Sequence, residues 1–151
     1  MIKGLFETHL QVANLEASMN FYSLLPGIEL ANVDEKRRVA FYWVGKRGEA
    51  MLGLWEKSGE NITSQHFAFR CAAEDIIHHA ESFLNERSLA GYNFLNDGTP
   101  RPMVFAWMPA ISIYFNDPDQ HVLEFISMLP QEPKPEFGIV SYEEWLNISI
   151  T

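Results

Sequence analysis

Three side chains in distant segments offer metal chemistry: His9 in ETHLQV, His66 in SQHFAF and Glu124 in VLEFI. Glu124 is the anomaly among them. Every other residue from Val122 to Ile126 is an apolar strand former, and a carboxylate buried in such a run is costly unless a cation meets it. Strand alternation sends successive side chains to opposite faces. His9 therefore shares a face with Gln11, His66 with Ala68 and Arg70, and Glu124 with Val122 and Ile126; Leu10, Val12, Phe67, Phe69, Leu123 and Phe125 form an apolar set for the other face. Two imidazoles and a carboxylate converging on the polar face make the facial ligand set used for Fe(II). The same set suits Mn, Ni, Co or Zn and leaves positions open to water or substrate. One divalent metal ion held by His9, His66 and Glu124 is the cofactor this pattern predicts.

The elements that must position these residues form two similar halves. In the first, THLQV reads as a strand, and Asn14 stands at a good N-cap position before LEASMNFYSLL, whose Leu15, Met19, Tyr22 and Leu25 recur at helical spacing. Pro26-Gly27 ends that helix, and strands follow around 28 to 33, 38 to 44 and 50 to 56. In the second half QHFAFRC is a strand and EDIIHHAESFLNERS an amphipathic helix closed by Gly91. Strands come next near 92 to 95, 103 to 108, 111 to 115 and 121 to 127. His9 and His66 lie 57 residues apart, and the stretches Tyr42 to Gly53 and Ile113 to Glu124 each span 11. This is an internal duplication of βαβββ modules, each too small to hide its own sheet. The predicted organisation is a single α+β domain, 1–151, with modules at 1–57 and 64–128, a linker at 57–64 and a C-terminal arm at 129–151 that starts proline-rich and ends in a short docked helix.

Composition narrows the partners. The chain of 151 residues is 47% hydrophobic and 21% charged, ordinary for a soluble globular protein. Its formal charge is 11 minus 20, or −9, without a basic cluster, which disfavours nucleic acid and anionic membrane surfaces. Cys71 is the single cysteine, so an internal disulfide and a cysteine-rich zinc site are excluded, and a reducing cytoplasm is the expected compartment. MIKGLFETHL does not read as a signal peptide, and PMVFAWMPAISIYF is too short to span a bilayer. Asp117 and Asp119 flank Pro118, and turn chemistry accounts for both; His121, three residues from Glu124, points to the opposite face and reads as structural.

ETHLQV, SQHFAF and YFNDPDQHVLEFI resemble the first, fifth and last strands of the vicinal oxygen chelate superfamily, over roughly residues 4 to 128. That superfamily includes glyoxalase I, fosfomycin-resistance enzymes, extradiol dioxygenases and bleomycin-resistance proteins. The resemblance implies paired βαβββ modules forming a curved mixed-sheet cup, a metal between them, a small-molecule substrate and a homodimer. It also implies a metal that takes both vicinal oxygens of a substrate as a Lewis acid, or that activates dioxygen when it is iron.

One departure is informative. Glyoxalase I supplies a fourth ligand, a glutamate, from the last strand of its first half, and the matching position is read here as Gly53; Glu56, three residues on, points to the other face. The three-ligand branches fit better. Fosfomycin enzymes resemble this chain in SIYF, where Ser112 and Tyr114 would line the cup, yet they use basic residues to hold the phosphonate and only Arg70 and Arg101 are candidates here. By register Phe41, Trp43, Met51, Trp55 and Tyr114 share the metal face, with Trp107 or Met108 joining them, a wall suited to a mostly apolar ligand. Tyr114 is the residue expected to hydrogen-bond a metal-bound oxygen. The reading is a metal-dependent lyase, isomerase or dioxygenase acting on a small, largely apolar substrate with vicinal oxygens. The alternatives are a bleomycin-resistance-like binder that sequesters a drug or metabolite, and a fosfomycin-modifying transferase.

Overall fold

The computed structural model describes residues 1–57 and 61–150. The expected linker at 57–64 falls in part on residues 58–60, outside the described residues. The chain divides into two compact units, Met1–Gln65 with Asp117–His121, and His66–Asn116 with Val122–Thr151.

In the first unit, strands β1 (Glu7–Val12), β2 (Ile28–Asp34), β3 (Val39–Val44) and β4 (Met51–Glu56) form a mixed sheet in the order β1-β4-β3-β2, with β1 parallel to β4. Helix α1 (Leu15–Tyr22) starts where expected: the Asn14 side chain accepts the Ala17 N–H at 2.8 Å. Leu15 and Tyr22 of the helix, and Leu10, Val12, Leu52 and Leu54 of the sheet, are fully buried. Each such aliphatic side chain contributes about 1.5–3 kcal/mol, so the apolar set of alternating residues is the core face, as the pattern predicts. Polar links secure the turn Asp117–His121 within this unit. Tyr22 O–H donates to Asp117 Oδ2 at 2.9 Å, and the His121 ring, fully buried, lies 2.7 Å from the Gln11 carbonyl through Nε2 and accepts the Gln65 N–H at 3.0 Å through Nδ1.

The second unit repeats the plan. Strands β5 (His66–Arg70), β6 (Met103–Phe105), β7 (Ala110–Asn116) and β8 (Val122–Met128), joined by β9 (Ile139–Ser141), run in the order β5-β8-β7-β6-β9, with β5 parallel to β8. Two departures from the sequence reading appear. The helix expected over 74–88 is two short helices, α2 (Ala73–His78) and α3 (Ala80–Glu86), separated by His79. The strand expected at 92–95 is a single bridge, Tyr92 to Tyr114. The reason is the next residue: Asn93, fully buried, accepts the Leu95 N–H at 3.0 Å and donates to Asp97 Oδ1 at 2.7 Å, which folds the chain into a turn. The tail does end in a helix, α4 (Tyr142–Ser149), started by a Ser141/Glu144 capping box and anchored by the fully buried Trp145. Strand β9 was not anticipated; it pairs with β6, 34 to 38 residues earlier in sequence. Among the described residues no helix is long and apolar enough to cross a membrane.

Candidate functional site

The second unit brings two of the three predicted ligands together. His66 opens β5 opposite Val122, and two residues on Ala68 faces Glu124, which in turn faces Tyr114 on β7. His66 and Glu124 are thus diagonal neighbours on one face, and His66 Nε2 lies 3.2 Å from Glu124 Oε2. The other ring nitrogen, Nδ1, is 3.0 Å from the Val122 carbonyl. A carbonyl only accepts, so Nδ1 carries a proton; in the neutral form of the ring the lone pair is then at Nε2, facing the carboxylate. Glu124 is 4% exposed and its Oε1 has no hydrogen-bond partner among the described residues. In that form two acceptors face each other, one of them a buried carboxylate, an arrangement completed by a proton or a metal cation.

His9 lies in the first unit, on β1 opposite Gly53 of β4. Trp55 Nε1–H donates to its Nδ1 at 2.7 Å, and its Nε2 is 3.5 Å from Glu7 Oε2. The Phe41 ring stands edge-on to both, at 6.1 Å from His9 and 6.0 Å from Trp55. A side chain at Gly53 would not fit beneath them, because its Cβ would come 2.6 Å from His9 Nδ1. Strand pairing also corrects the correspondence between the halves. Ala68, two beyond His66, faces Glu124; Gln11, two beyond His9, faces Trp55. Trp55, not Gly53, is the first-half counterpart of Glu124. Glu56 is committed elsewhere: it accepts from Arg38 and from the Leu15 N–H, and Arg38 first, then that N–H, hold its carboxyl down at about 2. Among the described residues no three His, Cys, Asp or Glu side chains form one metal-holding group.

A cavity of about 350 Å³ opens beside Glu124, walled by Phe94, Phe105, Trp107, Met108, Tyr114 and Ile126, with Gly138 and Ile139 of the tail closing one side. Tyr114 stacks on Tyr92 at 5.7 Å and has its ring 5.8 Å from that of His66. Burial, and then the Glu124 carboxylate, push its hydroxyl well above the ordinary phenol range. Ser112, on the same face two residues earlier, is buried with its hydroxyl toward that of Tyr114. Arg70 is exposed on that face opposite Ile126. Of the residues expected from the first half, Trp55 lines a separate cavity of about 480 Å³ with His9 and Gln11; Phe41 packs on that imidazole, and Trp43 and Met51 share the face by register. Phe94, Phe105 and Ile139 escaped the sequence reading. The first sits beyond the Asn93 turn, and the last reaches the wall through a pairing that no local pattern encodes.

No protein-family model matches the chain, and none of the curated proteins searched matches it. Solved structures do. The integron cassette protein HFX_CASS4, from the mobile metagenome of a Halifax Harbour sewage outfall, is 37% identical over 84% of this chain and 100% of its own, with a TM-score of 0.71. A glyoxalase/bleomycin resistance protein/dioxygenase from Nocardioides is 20% identical over 88% of both chains, with a TM-score of 0.63. The fosfomycin resistance protein FosX of Listeria monocytogenes, solved with Mn(II) and sulfate, is 21% identical over 86% of this chain and 94% of its own, with a TM-score of 0.61.

Proposed function

We propose that this chain, which shares the fold of glyoxalase, bleomycin resistance and dioxygenase proteins, belongs to the vicinal oxygen chelate superfamily and is a divalent-metal-dependent enzyme acting on a small, largely apolar substrate with vicinal oxygens. The observation that carries this reading is the His66–Glu124 pair: an imidazole nitrogen and a carboxylate oxygen 3.2 Å apart, the carboxylate 4% exposed. The donor set fits a divalent first-row ion, since an imidazole and a carboxylate suit Fe, Mn, Ni, Co and Zn alike. His66 and Glu124 would hold it, and His9 is the third ligand that the sequence pattern predicts. Bound there, such an ion supplies Lewis acidity toward the substrate's oxygens, or dioxygen activation if it is iron.

The chain's own residues do the rest. The Val122 carbonyl fixes the His66 tautomer, the orienting contact that ligating histidines commonly have. Tyr114, held protonated by burial and by Glu124, is a hydrogen-bond donor to a substrate oxygen. Ser112 Oγ, buried beside the Tyr114 hydroxyl, is a second polar handle. Phe94, Phe105 and Trp107 bind the apolar body and keep water from it. The same apolar cavity favours a second reading, a bleomycin-resistance-like binder. A fosfomycin-modifying transferase is supported less, because no Lys or Arg is among the described residues lining the cavity, and Arg101 lines a different one with Glu81 and Tyr142.

Metal analysis of protein purified without chelator separates the readings. About one equivalent per chain, lost in Glu124→Ala and in His66→Ala, is the enzyme result. No metal after iron, manganese and zinc loading sinks the enzyme and leaves the binder. Oxygen uptake across a catechol panel then divides dioxygenase from lyase or isomerase.

A further inference from the structure

His9 has a hydrogen-bond partner that competes with ligation. An indole N–H only donates, so the 2.7 Å contact from Trp55 Nε1 makes His9 Nδ1 the acceptor and leaves it without a proton. The neutral ring then carries its proton on Nε2, which lies 3.5 Å from the Glu7 carboxylate, a second acceptor suited to receive it. In its neutral form His66 is the reverse: proton on Nδ1 toward the Val122 carbonyl, lone pair on Nε2 toward Glu124. The two halves thus hold their histidines in opposite tautomers. The difference traces to one position. Where the second half places Glu124 diagonal to His66, the first half places Trp55 diagonal to His9.

We propose that Trp55 is a positioning residue that withholds His9 from a metal: its indole fixes the Nε2–H form of the ring and has to release Nδ1 before His9 can ligate. The consequence for metal uptake rests on the metal-centre reading above; the tautomer assignment does not. Ligation through Nδ1 displaces the indole outright. Ligation through Nε2 moves the ring proton to Nδ1, and two N–H groups then oppose each other across the former bond. In either case the indole must turn away. The geometry is built in. Gly53 lies beneath the contact, and a Cβ there would stand 2.6 Å from His9 Nδ1 and 3.2 Å from Trp55 Nε1. Phe41 braces both rings edge-on, with interplanar angles of 85° to His9 and 89° to Trp55. Metal uptake by His9 is therefore coupled to the loss of one hydrogen bond, a factor of about two- to tenfold in affinity.

The test reads ring protonation directly. Long-range nitrogen–proton correlation spectra of the full chain, stripped with chelator, are expected to show His9 protonated at Nε2 and His66 at Nδ1. Titration with Zn(II), which is diamagnetic, then moves the Trp55 indole N–H resonance as His9 ligates, and calorimetry finds Trp55→Phe binding zinc about two- to tenfold more tightly. A metal-free spectrum with His9 protonated at Nδ1 overturns the proposal, as does zinc binding that leaves the Trp55 indole resonance in place or a Trp55→Phe variant no tighter than wild type. Failure to bind zinc at all sinks the metal-centre reading, while the metal-free spectrum by itself still decides whether Trp55 fixes the His9 tautomer.

Discussion

Replacing Glu124 by Gln probes the candidate centre through stability. The carboxylate is 4% exposed, its Oε1 has no partner among the described residues, and its Oε2 faces His66 Nε2 at 3.2 Å. With the ring neutral and its proton on Nδ1, both facing atoms are acceptors, so in the metal-free protein this contact leaves a buried group uncompensated on its His66 side, the Tyr114 hydroxyl being a further polar neighbour. Such a group costs about 1–3 kcal/mol. Glutamine keeps the shape, removes the charge and offers an N–H to Nε2. In chelator at pH 8, where free imidazole is neutral, Glu124→Gln should therefore be more stable than wild type by roughly 1–3 kcal/mol. For a chain of this size each kcal/mol is worth about 2–4 °C in Tm, well within reach of urea or thermal denaturation. Adding Mn(II) should reverse the order, because a ligand bound by the native state stabilises wild type by mass action and leaves the variant unchanged. A variant destabilised by more than about 1 kcal/mol under chelator would refute the reasoning. It would mean that a proton already joins the two groups as an imidazolium–carboxylate pair, whose breakage costs about 3–5 kcal/mol.

Two further outcomes follow from the same geometry. Tyr22→Phe keeps the buried ring and removes the O–H that Asp117 accepts at 2.9 Å, a loss of about 1.5–3 kcal/mol for a bond to a charged group. Burial raises the Asp117 carboxyl above its ordinary 3.8, so the unfolded chain gives up this proton first and the group's contribution to stability falls as pH rises from that value through the folded one. The Tyr22 bond favours the ionised form; the gap between variant and wild type in urea melts should be widest at neutral pH and narrow on acidification, and a gap that does not change with pH rejects the assignment. Phe94, 57% exposed and packed edge-on against Phe105 at 5.3 Å, forms one flank of the apolar cavity. Phe94→Ala should weaken binding of a small aromatic probe by roughly three- to tenfold, the worth of one aromatic contact, as read by fluorescence titration.

Much of the fold was legible because period-2 alternation is local and strong. His9, Gln11 and Leu10 fell on the expected faces, and Asn14 announced its helix by cap chemistry alone. The approach of His66 to Glu124 was also legible, since a charged residue within VLEFI is improbable without a partner and strand alternation puts both on one face. What escaped depends on contacts between distant segments. Trp55 as the counterpart of Glu124 follows from how β1 pairs with β4, whereas counting along the hairpins pointed to Gly53. The cavity wall by Ile139 depends on β9 joining β6. Tyr22 and Asp117 meet across 95 positions of chain with no local pattern to link them. The break at Asn93 was hidden because a buried asparagine in a hydrophobic stretch looks like a strand residue until its turn partners, Asp97 and Thr99, are placed.

A parallel pair of strands has no hairpin to tell it where to begin, and β5 and β8 are such a pair. Here one imidazole marks the starting line. His121 is the residue before β8, and its ring holds the backbone of Gln65, the residue before β5, at 3.0 Å. A slip of one residue in either strand would turn His66 or Glu124 to the opposite side. The diagonal that brings those two side chains together is thus aligned by His121, and a substitution there would be felt as a loss of register.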